Sequence, residues 1–155
     1  MTNDKTMTKR EKEVRAFLES ANEALLEYKR IRRRTERLSL QCEKLVRSEG
    51  VGNPSEALQE LWKLLEEERV RETEAVREEM RRYRAVEDFI AAIEDPTCHT
   101  ILRRRYLEGE DTWLQIRFRL ERDGKYISER QVCRLHQKAL RLAETLWTAG
   151  EAVSA

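Results

Sequence analysis

The chain has 155 residues, and its 31 lysines and arginines nearly balance its 30 aspartates and glutamates, so that 39% of the residues are charged while the formal net charge is only +1. This balance excludes a polycation that attracts nucleic acid as a whole, because electrostatic steering needs a net excess of one sign. With only 5 glycines and 2 prolines, the composition indicates an all-α protein with long, partly exposed helices.

Neither a secretory leader nor a membrane span is visible in the sequence. The first ten residues are polar and no apolar segment follows them, unlike a signal peptide. No run approaches the roughly 18 apolar residues of a membrane helix. Cys42, Cys98 and Cys133 are odd in number and widely spaced, which is unlike a disulfide framework. We therefore expect a cytoplasmic protein without a membrane partner.

The first predicted helix runs from Lys9 to about Arg47, a stretch without Gly or Pro. Its apolar residues alternate in spacing between three and four, which is typical of a coiled-coil seam. The seam comprises Val14, Leu18, Ala21 and Leu25, and then Ala24, Tyr28, Ile31, Thr35, Leu38, Cys42 and Leu45. The segment SEGVGNP at residues 48–54 predicts a turn.

A second helix is predicted from Ser55 to about Glu94, with Ser55 or Asn53 as its cap. Its apolar positions are Leu58, Leu61, Trp62, Leu65, Val76, Met80, Tyr83, Val86, Ile90 and Ile93. Residues 9–47 carry 12 basic and 7 acidic groups, whereas residues 55–95 carry 7 basic and 13 acidic groups. Opposite charge favours pairing of the two helices. The sequence thus predicts an antiparallel hairpin over residues 9–94, through which the protein forms a homodimer.

Three shorter helices are predicted after the hairpin. Asp95 and Pro96 begin the third helix as cap and first-turn residue, and Gly109 ends it. Asp111 or Thr112 caps the fourth helix, which buries Trp113, Ile116 and Leu120. The fifth helix starts at Ser128 and runs to about Ala149, with an apolar stripe formed by Val132, Leu135, Ala139, Leu142 and Leu146. Residues 95–149 therefore resemble a helix-turn-helix domain.

The fifth helix carries the candidate binding residues. If its apolar stripe faces inward, the residues left outward are Arg130, Gln131, Arg134, Gln137, Lys138 and Arg141. Arg pairs with guanine and Gln with adenine in the major groove, so the first turns predict base contacts by Arg130, Gln131 and Arg134. Ser128, Lys138 and Arg141 are predicted to contact phosphate. The alternative is a solvated face of a highly charged protein.

Two other basic clusters leave alternatives open. Arg103, Arg104 and Arg105 can contact phosphate or pair with Glu108, Glu110 or Asp111. A denser run comprises Lys29, Arg30, Arg32, Arg33, Arg34 and Arg37. This run can bind nucleic acid through counterion release or face the acidic second helix, and we favour the second interpretation.

Metal binding and catalysis are not expected. The neighbours Cys98 and His99 point in different directions, and the pair Cys133 and His136 lacks the tight ligand spacing of zinc sites. The sequence contains no glycine-rich phosphate loop. Neither His lies beside an obvious nucleophile or a paired set of carboxylates. We expect no enzyme, no metal and no cofactor.

The C-terminal residues resemble a family of small phage and prophage regulators with a helix-turn-helix similar to region four of sigma factors. The resemblance covers residues 85–145 well and residues 20–84 in outline. It rests on Arg105-Tyr106-Leu107, Gly109, Trp113-x-x-Ile116, Ser128-Glu129-Arg130-Gln131-Val132, Arg134-x-His136 and Ala139-Leu140. It implies a hairpin followed by a three-helix sigma-like domain and binding of double-stranded promoter DNA. We expect RNA polymerase as a further partner.

One departure from that family lies between Leu120 and Ser128, where seven residues stand in place of a turn of three or four. These residues either lengthen the fourth helix before Gly124 or form a wing-like loop that brings Arg122 and Lys125 near phosphate. Two alternative functions are a coiled-coil adaptor that binds polymerase or another phage protein, and a DNA-packaging protein similar to a terminase small subunit.

Overall fold

The computed structural model describes residues 8–50, 52–109 and 112–149, and within these ranges the regular structure is entirely helical. Five α-helices are present: α1 (Lys9–Glu49), α2 (Glu56–Ala91), α3 (Pro96–Leu102), α4 (Trp113–Arg122) and α5 (Glu129–Ala149). Helices α1 and α2 form a long antiparallel hairpin, and three shorter packed helices follow it. The predicted all-α hairpin architecture is confirmed. None of the helices in the described residues is long and apolar enough to cross a bilayer.

The start of α2 depends on a local cap. Ser55 Oγ accepts a hydrogen bond from Leu58 N, and Glu49 at the end of α1 accepts hydrogen bonds from the Ser55 amide and hydroxyl, each at 2.8 Å. Capping groups of this kind satisfy amides that have no partner within the helix. Of the two predicted caps, Ser55 is the residue that performs this function.

Helix α3 is shorter than predicted. Asp95 caps it, accepting hydrogen bonds from the amides of Thr97 and Cys98, and Pro96 occupies its first turn, as predicted. After Leu102 the chain continues as one π-helical turn, Arg103–Leu107, and Gly109 then adopts a φ of 68°. The prediction of a helical segment that ends before Gly109 is confirmed, but its last turn is π-helical, which apolar spacing does not predict.

The chain divides into two compact units that do not follow chain order. One contains residues up to Asn22 together with those from Arg81 onward, and the other is Glu23–Met80. The first unit therefore includes the beginning of α1 and the end of α2 along with α3, α4 and α5. The prediction of a hairpin domain that ends at residue 94 and a helix-turn-helix domain that begins at residue 95 stays a prediction.

The first unit has an apolar core built from four helices. Its buried residues include Val14, Leu18 and Ala21 of α1, Val86, Phe89 and Ile90 of α2, Cys98 and Leu102 of α3, and Ala139 and Ala143 of α5. Phe17, Phe89 and Trp147 pack their rings together at centroid distances of 5.1–5.9 Å. Such aromatic clusters bury large areas and hold the ends of α1 and α2 against α5.

The second unit is held together by the predicted seam. Ile31, Cys42, Leu58 and Leu65 are buried, and the other seam residues of α1 are buried or half-buried. Two polar residues, Thr35 and Glu68, are buried with them. Trp62 and Met80, which the apolar pattern of α2 included, are instead about half exposed, because a helix with one partner buries only one narrow face.

The inward face of α5 differs from the predicted stripe. Val132, His136, Ala139 and Ala143 are buried, while Leu142 is 36% exposed. The prediction that Leu142 belongs to the core is wrong. At about 100° per residue, Val132, His136, Ala139 and Ala143 centre on one direction of the helix, and Leu142 lies about 90° to one side of it.

Candidate nucleic-acid interface

Helices α4 and α5 are joined by a defined connection that sets their relative position. Helix α4 ends at Arg122. Beyond it Gly124 has a φ of 84°, its amide donates to Glu121 O, and the Lys125 amide donates to Leu120 O at 2.8 Å. This pair of bonds is a Schellman motif, which needs a residue in the left-handed region. The long turn therefore extends α4 to Arg122, as the first of the two predicted alternatives states.

Both helices of this pair begin with a capping box. Thr112 and Gln115 form one at the start of α4. At the start of α5, Gln131 N donates to Ser128 Oγ at 3.2 Å and Ser128 N donates to Gln131 Oε1 at 3.1 Å. Reciprocal bonds of this kind fix the first turn of a helix, so the entry of α5 has a set direction.

A small core below α5 holds it against the preceding helices. Ile101, Ile116, Leu120 and Val132 are fully buried, and Trp113, Ile127 and Leu135 pack against them. Because these contacts fix the inward face of α5, its opposite face is fixed as well. That outward face begins at Arg130.

Four residues form a line along the outward face of α5, which we call the α5 outer line: Arg130, Arg134, Gln137 and Arg141. They follow one another at spacings of four, three and four, so they lie above one another on the helix. The three arginines are exposed. Arg130 and Arg134 form no ion pair within the part of the chain that the structure describes, and Arg141 Nε lies 3.5 Å from Gln137 O. The line spans about 16 Å.

Gln131 has a different position from Arg130 and Arg134. Its side-chain oxygen accepts the Ser128 amide hydrogen in the capping box. Pairing with adenine uses both the oxygen and the nitrogen of a glutamine amide. A base contact by Gln131 would therefore require the loss of a hydrogen bond that begins α5. Ser128 lies at the same end of the helix, with its hydroxyl engaged by the Gln131 amide.

The two predicted phosphate-binding lysines contact α3 instead of standing free. Lys125 Nζ donates to Thr97 Oγ1 at 2.9 Å, and Lys138 Nζ lies 3.3 Å from Asp95 Oδ2. The Cys98 amide and then Lys138 lower the pKa of Asp95 below its ordinary value. Both lysines thus hold the first turn of α3 against the α4–α5 pair, and phosphate binding would compete with these contacts.

The arginines of the π-helical turn are largely paired. Arg103 lies 3.4 Å from Glu87 and 3.6 Å from Glu108, and Arg104 also pairs with Glu108. Arg105 lies over the Trp113 ring, 5.1 Å from its centroid, a cation–π contact. The predicted pairing with Glu108 is confirmed, whereas Glu110 and Asp111 lie outside the described residues.

A buried polar pair lies beneath this surface and was missed by the apolar pattern. The Tyr106 hydroxyl lies 2.8 Å from His136 Nε2, and Trp113 packs on the His136 ring with centroids 4.7 Å apart. Burial, then Arg15 and Arg105, lowers the pKa of His136 to about 3, so the imidazole is neutral at physiological pH. Burial likewise raises the pKa of Tyr106. The spacing Val132, His136, Ala139, Ala143 is the signal that places His136 inward.

The described residues contain no group of three or more His, Cys, Asp or Glu side chains that could hold a metal. Cys98 is buried, and burial raises the pKa of its thiol. Its sulfur lies 3.8 Å from Leu135 O. Cys98 and His136 therefore occupy packed positions in the first unit.

The basic run at residues 29–37 is divided between partners. Of its six residues, only Arg34 reaches the acidic side of the hairpin in the described residues, lying 3.8 Å from Glu68. Arg30 and Arg32 pair with Glu27 and Glu36 of their own helix. Arg33 and Arg37 are exposed. The interpretation that this run faces α2 thus describes Arg34 and leaves the others unexplained.

Comparison with protein-family models, with curated proteins and with solved structures finds no match to this chain.

Proposed function

We propose that the protein is a DNA-binding transcriptional regulator whose α4–α5 pair is a helix-turn-helix, with α5 entering the major groove. The observation that carries the proposal is the α5 outer line, in which exposed arginines that form no ion pair with the described residues stand on a helix that is fixed from below. Arg130 and Arg134 lie in the first two turns, where a recognition helix makes base contacts. The resemblance to sigma-like phage regulators supports the same function.

Within this proposal, the residues of the outer line have different tasks. Arg130 and Arg134 read base edges, because a guanidinium forms two parallel hydrogen bonds with guanine. Gln137, one turn beyond Arg134, is the glutamine with the better position for an adenine contact, because Gln131 is engaged in the capping box. Arg141 contacts phosphate, and Ser128 contributes from the entry of the helix.

The test is selection of bound sequences from a random duplex library, followed by affinity measurements across a salt series. We expect an enriched motif, and we expect the Arg130→Ala/Arg134→Ala variant to lose about 1–3 kcal/mol per base contact with relaxed selectivity. The matched control is Arg10→Ala/Arg84→Ala, which removes the same charge from exposed positions elsewhere in the first unit. Equal losses in both variants would leave only a non-specific charge effect and would refute the proposal.

A second candidate is an adaptor that binds another protein, such as RNA polymerase. It is favoured by the outward face of α4, where Leu114 and Phe118 are 40% and 49% exposed. Phe118 also lines a cleft of about 430 Å³ with Gln115, Arg119 and Arg122. Exposed apolar residues rimmed by polar groups are typical of protein-binding surfaces. Under this function, the Arg130→Ala/Arg134→Ala variant keeps its partner binding while Phe118→Ala loses it.

A further inference from the structure

The outward faces of α1 and α2 in the second unit carry two stripes that the hairpin does not use. Each residue of the α1 stripe lies two positions after a seam residue, which is 200° around the helix. On α2, Glu60, Glu67 and Val70 likewise lie two positions after the buried Leu58, Leu65 and Glu68. The stripe on α1, the basic outer stripe, consists of Leu26, Arg30, Arg33, Arg37, Leu40, Lys44 and Arg47. The stripe on α2, the acidic outer stripe, consists of Glu60, Lys63, Glu67, Val70 and Glu74.

Both stripes are exposed, and most of their charges have no ion-pair partner in the part of the chain that the structure describes. Arg30 pairs with Glu27, but Arg33, Arg37, Lys44 and Arg47 form no ion pair in the described residues, and neither do the three glutamates of the acidic outer stripe. The basic outer stripe contains no acidic residue. The charges of the basic outer stripe are all positive, whereas the acidic outer stripe carries three negative charges and the positive charge of Lys63.

An apolar residue stands at the centre of each stripe. Leu40 is 55% exposed and Val70 is 53% exposed. Arg37 and Lys44 lie three residues before and four residues after Leu40, and Glu67 and Glu74 lie at the same offsets from Val70. If Leu40 meets Val70, each of the two basic residues faces one of the two acidic residues, whether the two helices run parallel or antiparallel. Spacings of three and four are those by which helices pack against each other.

We propose that the basic outer stripe is the docking surface for the acidic outer stripe of a second copy of this chain. The match of charge, spacing and central apolar residue favours a helix of the same protein over nucleic acid, since exposed leucines add nothing to phosphate binding. The two stripes lie on opposite faces of the hairpin, so a single partner covers only one of them. The contact is heterologous, and further copies add to the free stripes.

The contact is weak and sensitive to salt. Exposed ion pairs contribute little, and Lys63 places a positive charge opposite Arg33 or Arg47 when Leu40 meets Val70. We expect sedimentation equilibrium to show an average mass that rises steadily with protein concentration at about 0.05 M salt. At about 1 M salt, where charges are screened within about 3 Å, the protein is monomeric.

Charge exchange tests the pairing directly. Arg37→Glu/Lys44→Glu and Glu67→Lys/Glu74→Lys each abolish association at low salt. The chain with all four substitutions has the net charge of the original and associates again. Arg10→Glu/Lys12→Glu, which changes exposed charges in the first unit by the same amount, keeps the original association. Lys63→Glu strengthens it by about threefold, because a repulsion becomes an attraction. Circular dichroism confirms that the variants keep their helices.

Three outcomes would overturn the proposal. The first is that the original chain stays monomeric at low salt. The second is that association survives both paired reversals, and the third is that the fourfold exchange fails to restore association. A measurement of DNA binding tests the alternative that the basic outer stripe binds nucleic acid. If the original chain is monomeric and Arg37→Glu/Lys44→Glu weakens binding to a duplex while Arg10→Glu/Lys12→Glu does not, the stripe is a phosphate-binding surface. Loss of the α5 function has no bearing on these results, because all substitutions lie outside α4 and α5.

Discussion

The two compact units bury their side chains in different ways. In the first unit, Leu18, Ile90 and Leu102 are enclosed by several helices, and the buried polar pair of Tyr106 and His136 is hydrogen-bonded. In the second unit a single seam joins two helices around the buried Glu68. Buried polar atoms without a hydrogen-bond partner among the described residues occur in both units, at His136 Nδ1 in the first and at Glu68 Oε2 in the second. The difference teaches that regular apolar spacing predicts where a helix packs, whereas the number of elements around it determines how much is buried.

Matched leucine truncations break this comparison most directly. Leu18 is fully buried in the first unit, and Leu65 lies in the seam of the second. We expect Leu18→Ala to lower the free energy of unfolding by about 3–5 kcal/mol, because several helices around the cavity prevent collapse. Leu65→Ala should cost about 2 kcal/mol or less, since two helices can close over the gap. Urea denaturation measures both, and equal losses would show that the seam is packed as tightly as the core.

The sequence predicted most of the fold, because its helix ends are marked by local chemistry. Asp95 and Pro96, Thr112, Ser128 and the positive-φ glycines Gly109 and Gly124 mark the ends of α3, α4 and α5 or of the turns beside them. Capping depends on residues within one turn, so it can be predicted without knowledge of the tertiary structure.

What depends on distant contacts could not be predicted in the same way. The apolar pattern chose Leu142 over Ala143 because leucine is the more hydrophobic residue, and it left out His136 because histidine is polar. The engagement of Lys125 and Lys138 depends on the first turn of α3, which lies 28 and 43 residues away in sequence. For the same reason, the α5 outer line was predicted in outline, but the capping role of Gln131 was not.

The pH dependence of stability sharpens the comparison within the first unit. The pKa of His136 is about 3 in the folded chain and near 6.5 when the group is solvated. As the pH falls below about 6.5, the unfolded chain therefore takes up a proton that the folded chain does not. The stability that is present above this pH is lost progressively, by about 3 kcal/mol at pH 4.

Replacement of each histidine isolates this effect. His136→Gln should remove the loss of stability between about pH 7 and pH 4, as measured by urea denaturation at each pH. His99→Gln is the matched control and should keep that loss in full. Asp95, whose pKa is lowered, contributes mainly below its ordinary value of 3.8, outside this range. The same slope in all three proteins would mean that His136 accepts a proton without unfolding.

The smallest expected effect concerns Glu68, and its sign is informative. Glu68 is 7% exposed, and its bonded oxygen lies 2.7 Å from Arg71 and 3.8 Å from Arg34, whose side chains are 57% and 45% exposed. Since both arginines remain in water without it, Glu68→Leu leaves no buried charge unpaired and removes a buried oxygen that lacks a hydrogen-bond partner among the described residues. We expect a gain of about 1 kcal/mol in the free energy of unfolding.

Glu66→Leu is the control for this substitution, because Glu66 is exposed on the same helix and its replacement should change stability by less than about 0.5 kcal/mol. A gain specific to Glu68→Leu would mean that the buried carboxylate weakens the seam. A loss would mean that the contact with Arg34 and Arg71 stabilises the seam more than a leucine can, and the contrast between the units would then rest on apolar burial alone.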